Sequence, residues 1–379
     1  MYFLYIVVSI FLYILGLIIL IPLSFKKKYN QLYKKFFPFE RHNLADIHFH
    51  LASYGEVKSL TPLINYYKSK NKNILITVAS KTGYNEAKKI VDNTFFLPLE
   101  PILFFWLKPA KTLIVFEAEF WLNLLKIYKN HNKQTILLNA RIKKNSFKKY
   151  YKFRFFYNEI FKNFDFIIAQ SYQDYKRLQM LGGENIEVFT NIKLLTNFTP
   201  NKKLQKNKEI VLIASTHKGE EEIILSKIDF KFLENKTLIL APRHPERFIE
   251  VENLLKNKGI KYFKFSDSEN AYLDSNVFLL DTLGELINFY AISDYVILGG
   301  SYVPIGGHNF VEPAFFGCKI IAGKFIYSQL AVLDCIENVV ISDDINFDNV
   351  KPAKIKSKYS FETLVSILDR ILNETRKSI

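Results

Sequence analysis

Apolar residues run from Met1 to Leu23 with no charge among them. Charge then arrives in a cluster: Lys26, Lys27, Lys28, Lys34, Lys35 and Arg41. At about 1.5 Å per residue a helix of that length reaches ~30 Å, the thickness of a hydrocarbon core. A secretory signal would carry its positive charge first. The reverse order predicts a single N-terminal membrane-anchor helix, with the rest of the chain held on the cytoplasmic side by its basic flank. The alternatives are a buried core helix or one lying flat in the interface, for which Pro22 leaves room.

From Ile47 onward the pattern changes to short apolar runs separated by helical periodicity. Ile74–Val78, Thr112–Phe116, Thr135–Leu138 and Phe166–Ala169 read as buried strands, with helical stretches such as Glu56–Lys68 and Tyr172–Leu181 around them. Near-continuous apolar strands alternating with helices predict a parallel sheet covered on both faces. A polar segment, Asn197 to Lys208, interrupts the alternation. It resumes at Ile210–Ala214, Thr237–Ala241, Val277–Leu280 and Tyr295–Leu298, and Ser360–Leu372 closes the chain as an amphipathic helix. The expected organisation is α/β throughout. An anchor helix (1–23) precedes an N-terminal doubly wound domain (24–196), a linker (197–208) and a C-terminal domain (209–379) that includes the last helix. Two such domains imply a cleft between them, with the loops at the strand C-termini facing inward.

Composition narrows the function. The 379 residues are 49% hydrophobic and 23% charged, which excludes a disordered chain. Two cysteines, Cys318 and Cys335, make neither a disulfide framework nor a multi-cysteine zinc site. The net charge of +15 points to an anionic partner: nucleic acid, a phosphorylated substrate or a membrane surface. Ten Lys and Arg with interleaved aromatics and no acidic residue lie between Phe120 and Asn158. Nucleic acid and anionic lipid both fit that stretch, and the N-terminal helix favours membrane phospholipid over nucleic acid. The seven histidines lack metal-binding spacing, so no metal site is expected.

Candidate chemistry gathers after the strands. In the second half Gly299, Gly300 and Ser301 lead into Gly306, Gly307, His308 and Asn309, then Phe310, Val311 and Glu312. Glycines after a strand allow close backbone approach to a phosphate, and a carboxylate one helical turn beyond Asn309 suits a ribose diol. Pro242 and Arg243 follow another strand. Arg243 either grips a phosphate or pairs with Glu246 or Glu250 in a surface turn. Ser215, Thr216 and His217, and the loop holding Leu283, Gly284 and Glu285, complete the rim. Glu220, Glu221 and Glu222 fit a helix first turn and need no further role. In the first half Ser53, Gly55 and Glu56 open a helix, where Glu56 is either a general base or an ordinary N-terminal carboxylate. Glu117 ends an apolar strand at the sheet rim.

Taken in chain order, these segments resemble the Kdo transferases, which add 3-deoxy-D-manno-octulosonic acid to the lipid A precursor. The resemblance runs from the N-terminal helix to about Asp334. It rests on Ser53-Tyr-Gly-Glu56, Thr82-Gly83, Glu117-Ala-Glu-Phe-Trp121, Asn139-Ala-Arg141, Ala169-Gln-Ser171, Asn191-Ile-Lys193, Ser215-Thr-His217, Pro242-Arg-His-Pro245, Asp281-Thr-Leu-Gly-Glu285, and Gly299-Gly-Ser301 through Glu312-Pro313. It implies a GT-B architecture and an inverting, metal-independent transfer from CMP-Kdo to lipid IVA at the cytoplasmic face of the inner membrane, with no cofactor. By resemblance Glu56 is the base, and Glu117 and Lys193 stabilise the transition state. Pro242, Arg243, Leu283, Gly284, Glu285 and Asn309–Glu312 bind CMP. Ser53, Gly55, Ser215, Thr216, Gly300, Ser301 and His308 support them. The chain departs from the family's usual Glu-Thr-Glu-Leu-Trp-Pro at Ala118, Phe120 and Leu122, and has Thr190 where a glycine often precedes the Asn-Leu-Lys motif. The other readings are a GT-B transferase using a different sugar nucleotide on a membrane lipid, or a membrane-tethered nucleic-acid binder.

Overall fold

The computed structural model of the protein describes residues 1–24, 32–195, 198–356 and 359–374. The chain forms two compact units, Met1–Thr196 with Lys358–Ile379, and Asn197–Ser357. Lys26, Lys27 and Lys28 of the basic cluster lie outside the described residues.

In the first unit, β1 (Ile47–Leu51), β2 (Ile74–Val78), β3 (Thr94–Phe96), β4 (Thr112–Phe116), β5 (Gln134–Ala140), β6 (Phe166–Ala169) and β7 (Ile186–Val188) form one seven-stranded sheet in the order β3-β2-β1-β4-β5-β6-β7. All its pairings are parallel. Every residue of β1, β2, β4 and β5 is buried, because helices cover both faces and polar alternation has no solvent side to serve. The chain order reverses between β1 and β4, and this doubly wound order puts ligand crevices at the C-terminal ends of those two strands.

The second unit repeats the plan. Its strands are β8 (Glu209–Thr216), β9 (Lys236–Pro242), β10 (Phe263–Lys264), β11 (Val277–Leu279), β12 (Tyr295–Leu298), β13 (Lys319–Ala322), β14 (Ile336–Glu337), β15 (Val339–Ile341) and β16 (Lys354–Ile355). A seven-stranded sheet has the order β10-β11-β9-β8-β12-β13-β15, with β14 and β16 as a separate antiparallel pair. Here the reversal falls between β8 and β12.

The last helix, Phe361–Glu374, corrects the expected domain assignment. Leu364, Leu368 and Ile371 are spaced to share one helix face and are buried in the core of the first unit, with Val57, Leu60 and Ile64. Tyr66 donates to Asp369 at 2.7 Å and Gln134 Nε2 to the Ile371 carbonyl at 2.9 Å. An apolar helix face is legible in sequence, but the core it covers is not. The polar segment read as a linker is likewise held to the second unit over its described residues. The Asn201 amide donates to Asn288 Oδ1 at 2.8 Å, and Lys206 pairs with Asp294 at 2.8 Å.

The helix Tyr2–Ser24 is long and apolar enough to cross a membrane. One face touches the first unit: Tyr5 donates to Glu100, the Tyr13 hydroxyl to the Phe36 carbonyl at 3.1 Å, and Lys126 lies 5.3 Å from the Tyr2 ring. Phe3, Leu4, Phe11 and Ile18 project outward. The basic stretch 120–158 is not one surface. β5 lies within it, fully buried, and Lys126 pairs with Glu159 at 2.5 Å. The helix Lys144–Lys152 has no buried residue, and Phe153 and Phe155 just beyond it are exposed.

Candidate active site

At the switch point of the first sheet, Glu56 follows β1 and Glu117 follows β4 (on adjacent strands, since β1 and β4 pair). Glu56 sits in the first turn of the helix Tyr54–Ser69 and folds back over its start. The Ala52 amide donates to its Oε2 at 2.7 Å and the Ser53 hydroxyl to its Oε1 at 3.1 Å. Ser53-x-x-Glu56 has the spacing of a capping box, but the Ser53 side chain makes no cap hydrogen bond here. The titration of Glu56 is unlike that of a solvated cap. Burial raises its pKa from 4.5 to about 7; the Ala52 hydrogen bond opposes this, Glu117 adds to it, and Lys193 and Ser53 oppose it. Gly55, beside it, has open space where a side chain would project.

Glu117 has a left-handed backbone (φ 58°), which turns the chain sharply off β4. Its Oε1 lies 2.6 Å from Lys193 Nζ, and Asn139 Nδ2 donates to the same oxygen at 3.3 Å. Asn139, also left-handed (φ 58°), accepts from the Ile192 amide at 3.0 Å and so fixes the turn that carries Lys193. Sequence-distant residues after β1, β4 and β7, with Asn139 near the end of β5, therefore converge on one carboxylate–ammonium cluster. Behind it runs a buried chain. Tyr128 hydrogen-bonds His48 at 2.8 Å, and Thr77 bonds His48 at 2.7 Å and His50 at 2.9 Å. His50 Nε2 in turn points at Glu119, 3.7 Å away. The contact with His50 holds the Glu119 carboxyl below its usual range, against the opposing effect of burial.

In the second unit, loops after β11, β9, β8 and β12, four consecutive strands of the sheet, carry the expected residues. Pro242 ends β9, and the Arg243 amide donates to the Thr216 carbonyl at 3.0 Å. Arg243 is exposed and takes part in no ion pair among the described residues. The arginine that pairs with Glu250, at 3.5 Å, is Arg247. Burial raises the Glu312 carboxyl above its ordinary range, while its bond from Asn309 Nδ2 (3.0 Å) and the Arg243 charge oppose this. His308 Nε2 lies 2.8 Å from His217 Nε2, with the rings stacked. Burial, then the charges of His217, Arg243 and His244, pushes His308 down to about 4. Burial also lowers His217, and in the neutral form of the pair one ring donates and the other accepts.

The glycine loop needs glycine for two separate reasons. A Cβ on Gly299 would meet the Ser215 carbonyl at 2.5 Å, and Gly300 has φ 69° with His308 only 2.8 Å from a Cβ. Several supporting residues act through the backbone or the core. Ser301 is fully buried, and its hydroxyl takes the Gly323 amide at 2.8 Å. Thr216 donates to Glu221, Ser215 is buried, and the Phe310 and Val311 side chains are core. Leu283 and Gly284 are exposed at the rim, and Glu285 accepts from Asn288 at 2.7 Å.

Sequence reasoning missed Glu220 and Glu221. Both are buried, so the reading of them as first-turn carboxylates that need no further role is corrected. Glu220 accepts from four backbone amides: His217 at 2.8 Å, Gly300 at 2.7 Å, Ser301 at 3.0 Å and Tyr302 at 2.8 Å. Glu221 takes both arms of Arg247, at 2.7 and 2.8 Å. Three consecutive glutamates in sequence conceal that only Glu222 faces solvent.

Comparison with known proteins identifies the family. Residues 25–196 match the family model described as 3-deoxy-D-manno-octulosonic-acid transferase (kdotransferase). The chain is 31% identical over 360 residues to the 3-deoxy-D-manno-octulosonic acid transferase of Haemophilus influenzae, covering 88% of this chain and 84% of that protein. A bifunctional glycosyltransferase/methyltransferase of Fusobacterium nucleatum is 34% identical over 301 residues, 73% of this chain; the match spans only 47% of that longer protein. Among solved structures, the S. aureus MnaA–UDP co-structure shares the fold, with TM-score 0.53 and 12% identity over 87% of this chain and 97% of that one. The two doubly wound sheets are those of a GT-B glycosyltransferase, and the chain belongs to the Kdo transferase family.

Proposed function

We propose that the protein moves Kdo from CMP-Kdo onto a hydroxyl of the lipid A precursor, lipid IVA, with inversion. The observation that carries this reading is Glu56: a carboxyl at the switch point of the first sheet, poised to titrate at about 7, beside the Glu117–Lys193 pair. A base for an alcohol works best when its pKa lies near the working pH. In the reaction the acceptor oxygen attacks the anomeric carbon of Kdo while its proton passes to Glu56. The bond from that carbon to the CMP phosphate oxygen breaks, and its electron pair leaves with the phosphate.

Charge therefore builds on the leaving phosphate, and the donor sugar carries a carboxylate of its own. Lys193 and Arg243 supply fixed positive charge against both. Glu117 holds Lys193 in place through the 2.6 Å contact. Arg243, the glycine loop and the Leu283–Glu285 turn hold CMP, and Glu312 with Asn309 takes the ribose hydroxyls. The helix Tyr2–Ser24, with basic residues after it, anchors the enzyme at the cytoplasmic face of the inner membrane, where the acceptor resides.

The test is incubation of the purified protein with CMP-Kdo and a tetra-acylated lipid A precursor, followed by mass spectrometry. A product heavier by one or more Kdo residues, with CMP released in step, is expected. Unchanged acceptor with intact CMP-Kdo overturns the reading.

A further inference from the structure

A pocket in the first unit is not used by the chemistry above. It is open on one side and lies among Tyr33, Phe37, Phe39, Tyr84, Phe96 and Trp106. Its floor is buried, whereas Phe39 at its mouth is 82% exposed. Tyr84 stacks on Phe96 with ring centroids 4.5 Å apart. The short helix Tyr33–Phe36 forms one wall, and its far side receives the Tyr13 hydroxyl of the N-terminal helix. Lys34 lines the pocket with its Nζ 5.9 Å from the Tyr84 ring. Lys35 lies 6.0 Å from the Phe96 ring and donates to the Ala79 carbonyl at 2.6 Å. The Ala79 amide bonds to Leu51, whose neighbour Ala52 holds Glu56.

We propose that this pocket receives a fatty-acyl chain of the lipid acceptor, with Lys34 and Lys35 set against its anionic head. The inference rests on the proposed function and names the acceptor subsite within it. Most of the lining surface is apolar, from Phe37, Pro38, Phe39, Phe95, Phe96 and the rings of Tyr84 and Trp106, which favours a hydrocarbon chain over a sugar or nucleotide. Lys34 is the one cation in the lining, Lys35 lies nearby against the Phe96 ring, and Glu40 alone among the lining residues is acidic. The pocket also adjoins the helix Tyr2–Ser24, the one helix among the described residues fit to enter a bilayer, and Lys35 connects it to the Glu56 rim.

The test compares the full chain with the double variant Phe37→Ser, Phe39→Ser, whose positions are exposed and outside the reacting groups. With the acylated acceptor KM should rise by about tenfold or more at similar kcat. With the same saccharide stripped of its acyl chains, and for the donor, KM should not move. Equal effects on both acceptors, or none, overturn the proposal. A binding arm separates its failure from that of the reaction itself. In a Trp121→Phe background Trp106 is the sole tryptophan. A chain-brominated dodecyl phosphate should quench it in the parent and not in the double variant, whether or not Kdo is transferred. No quenching in the parent sinks the subsite.

Discussion

Glu220 and Gly300, eighty residues apart, are joined by a 2.7 Å hydrogen bond from the glycine amide to a fully buried carboxylate. Three more amides, from His217, Ser301 and Tyr302, converge on the same group, so one side chain ties the loop after β8 to the loop after β12. Replacing Glu220 with Ala leaves several donors unsatisfied at roughly 1–3 kcal/mol each. Chemical denaturation should show a loss of about 3 kcal/mol or more, with CMP affinity falling alongside. A variant with parental stability and affinity would remove Glu220 from this role.

Glu56 should set the acid limb of the rate profile. Only its ionised form accepts a proton, so turnover should fall about tenfold per unit below a midpoint near 7. Glu56→Gln should lose about 10²–10⁴ in kcat while CMP binding persists, as titration calorimetry with CMP would show.

The same shift has a stability consequence of opposite value to the enzyme. A carboxyl whose folded pKa exceeds its free value binds protons more tightly when folded, so stability falls as pH rises from 4.5 to about 7. Thermal melts of Glu56→Gln should match the parent at pH 4 and exceed it at pH 8, by on the order of 2–3 kcal/mol. A parallel pair of curves would contradict the burial-driven shift.

Lys193→Met separates catalysis from folding. The pair with Glu117 is partly exposed, so its removal should cost under about 1 kcal/mol of stability. If Lys193 faces developing charge, kcat should drop by about 10²-fold or more with the melting curve scarcely moved. A changed KM at unchanged kcat would reassign it to ground-state binding.

Much of this was legible in the sequence, and the exceptions have physical causes. Buried parallel strands must be apolar along their whole length, so Ile74–Val78, Thr112–Phe116, Phe166–Ala169 and Tyr295–Leu298 were read with their observed limits. β1 carries His48 and His50, which look polar but are fully buried, His48 held by Thr77 and Tyr128 and His50 by Thr77 on other elements. No local pattern reveals such partners. Glu220 and Glu221 were misread for the same reason, since only the fold brings four amides and Arg247 to them. The motif residues of the candidate site were visible because they follow strand ends. What sequence could not give was Asn139 as the hinge between Glu117 and Lys193, a link made by two left-handed turns.

The C-terminal helix belongs to the first unit although the intervening positions Asn197–Ser357 build the second, which makes the latter an insertion within the former. A fragment cut after residue 195 would lack the cover over Val57, Leu60 and Ile64 and expose that apolar surface. It should be insoluble unless residues 359–374 are fused back or supplied as a peptide. The intervening piece, by contrast, carries its own complete sheet. Expression boundaries, and any exchange of the second unit between relatives, therefore need two junctions rather than one.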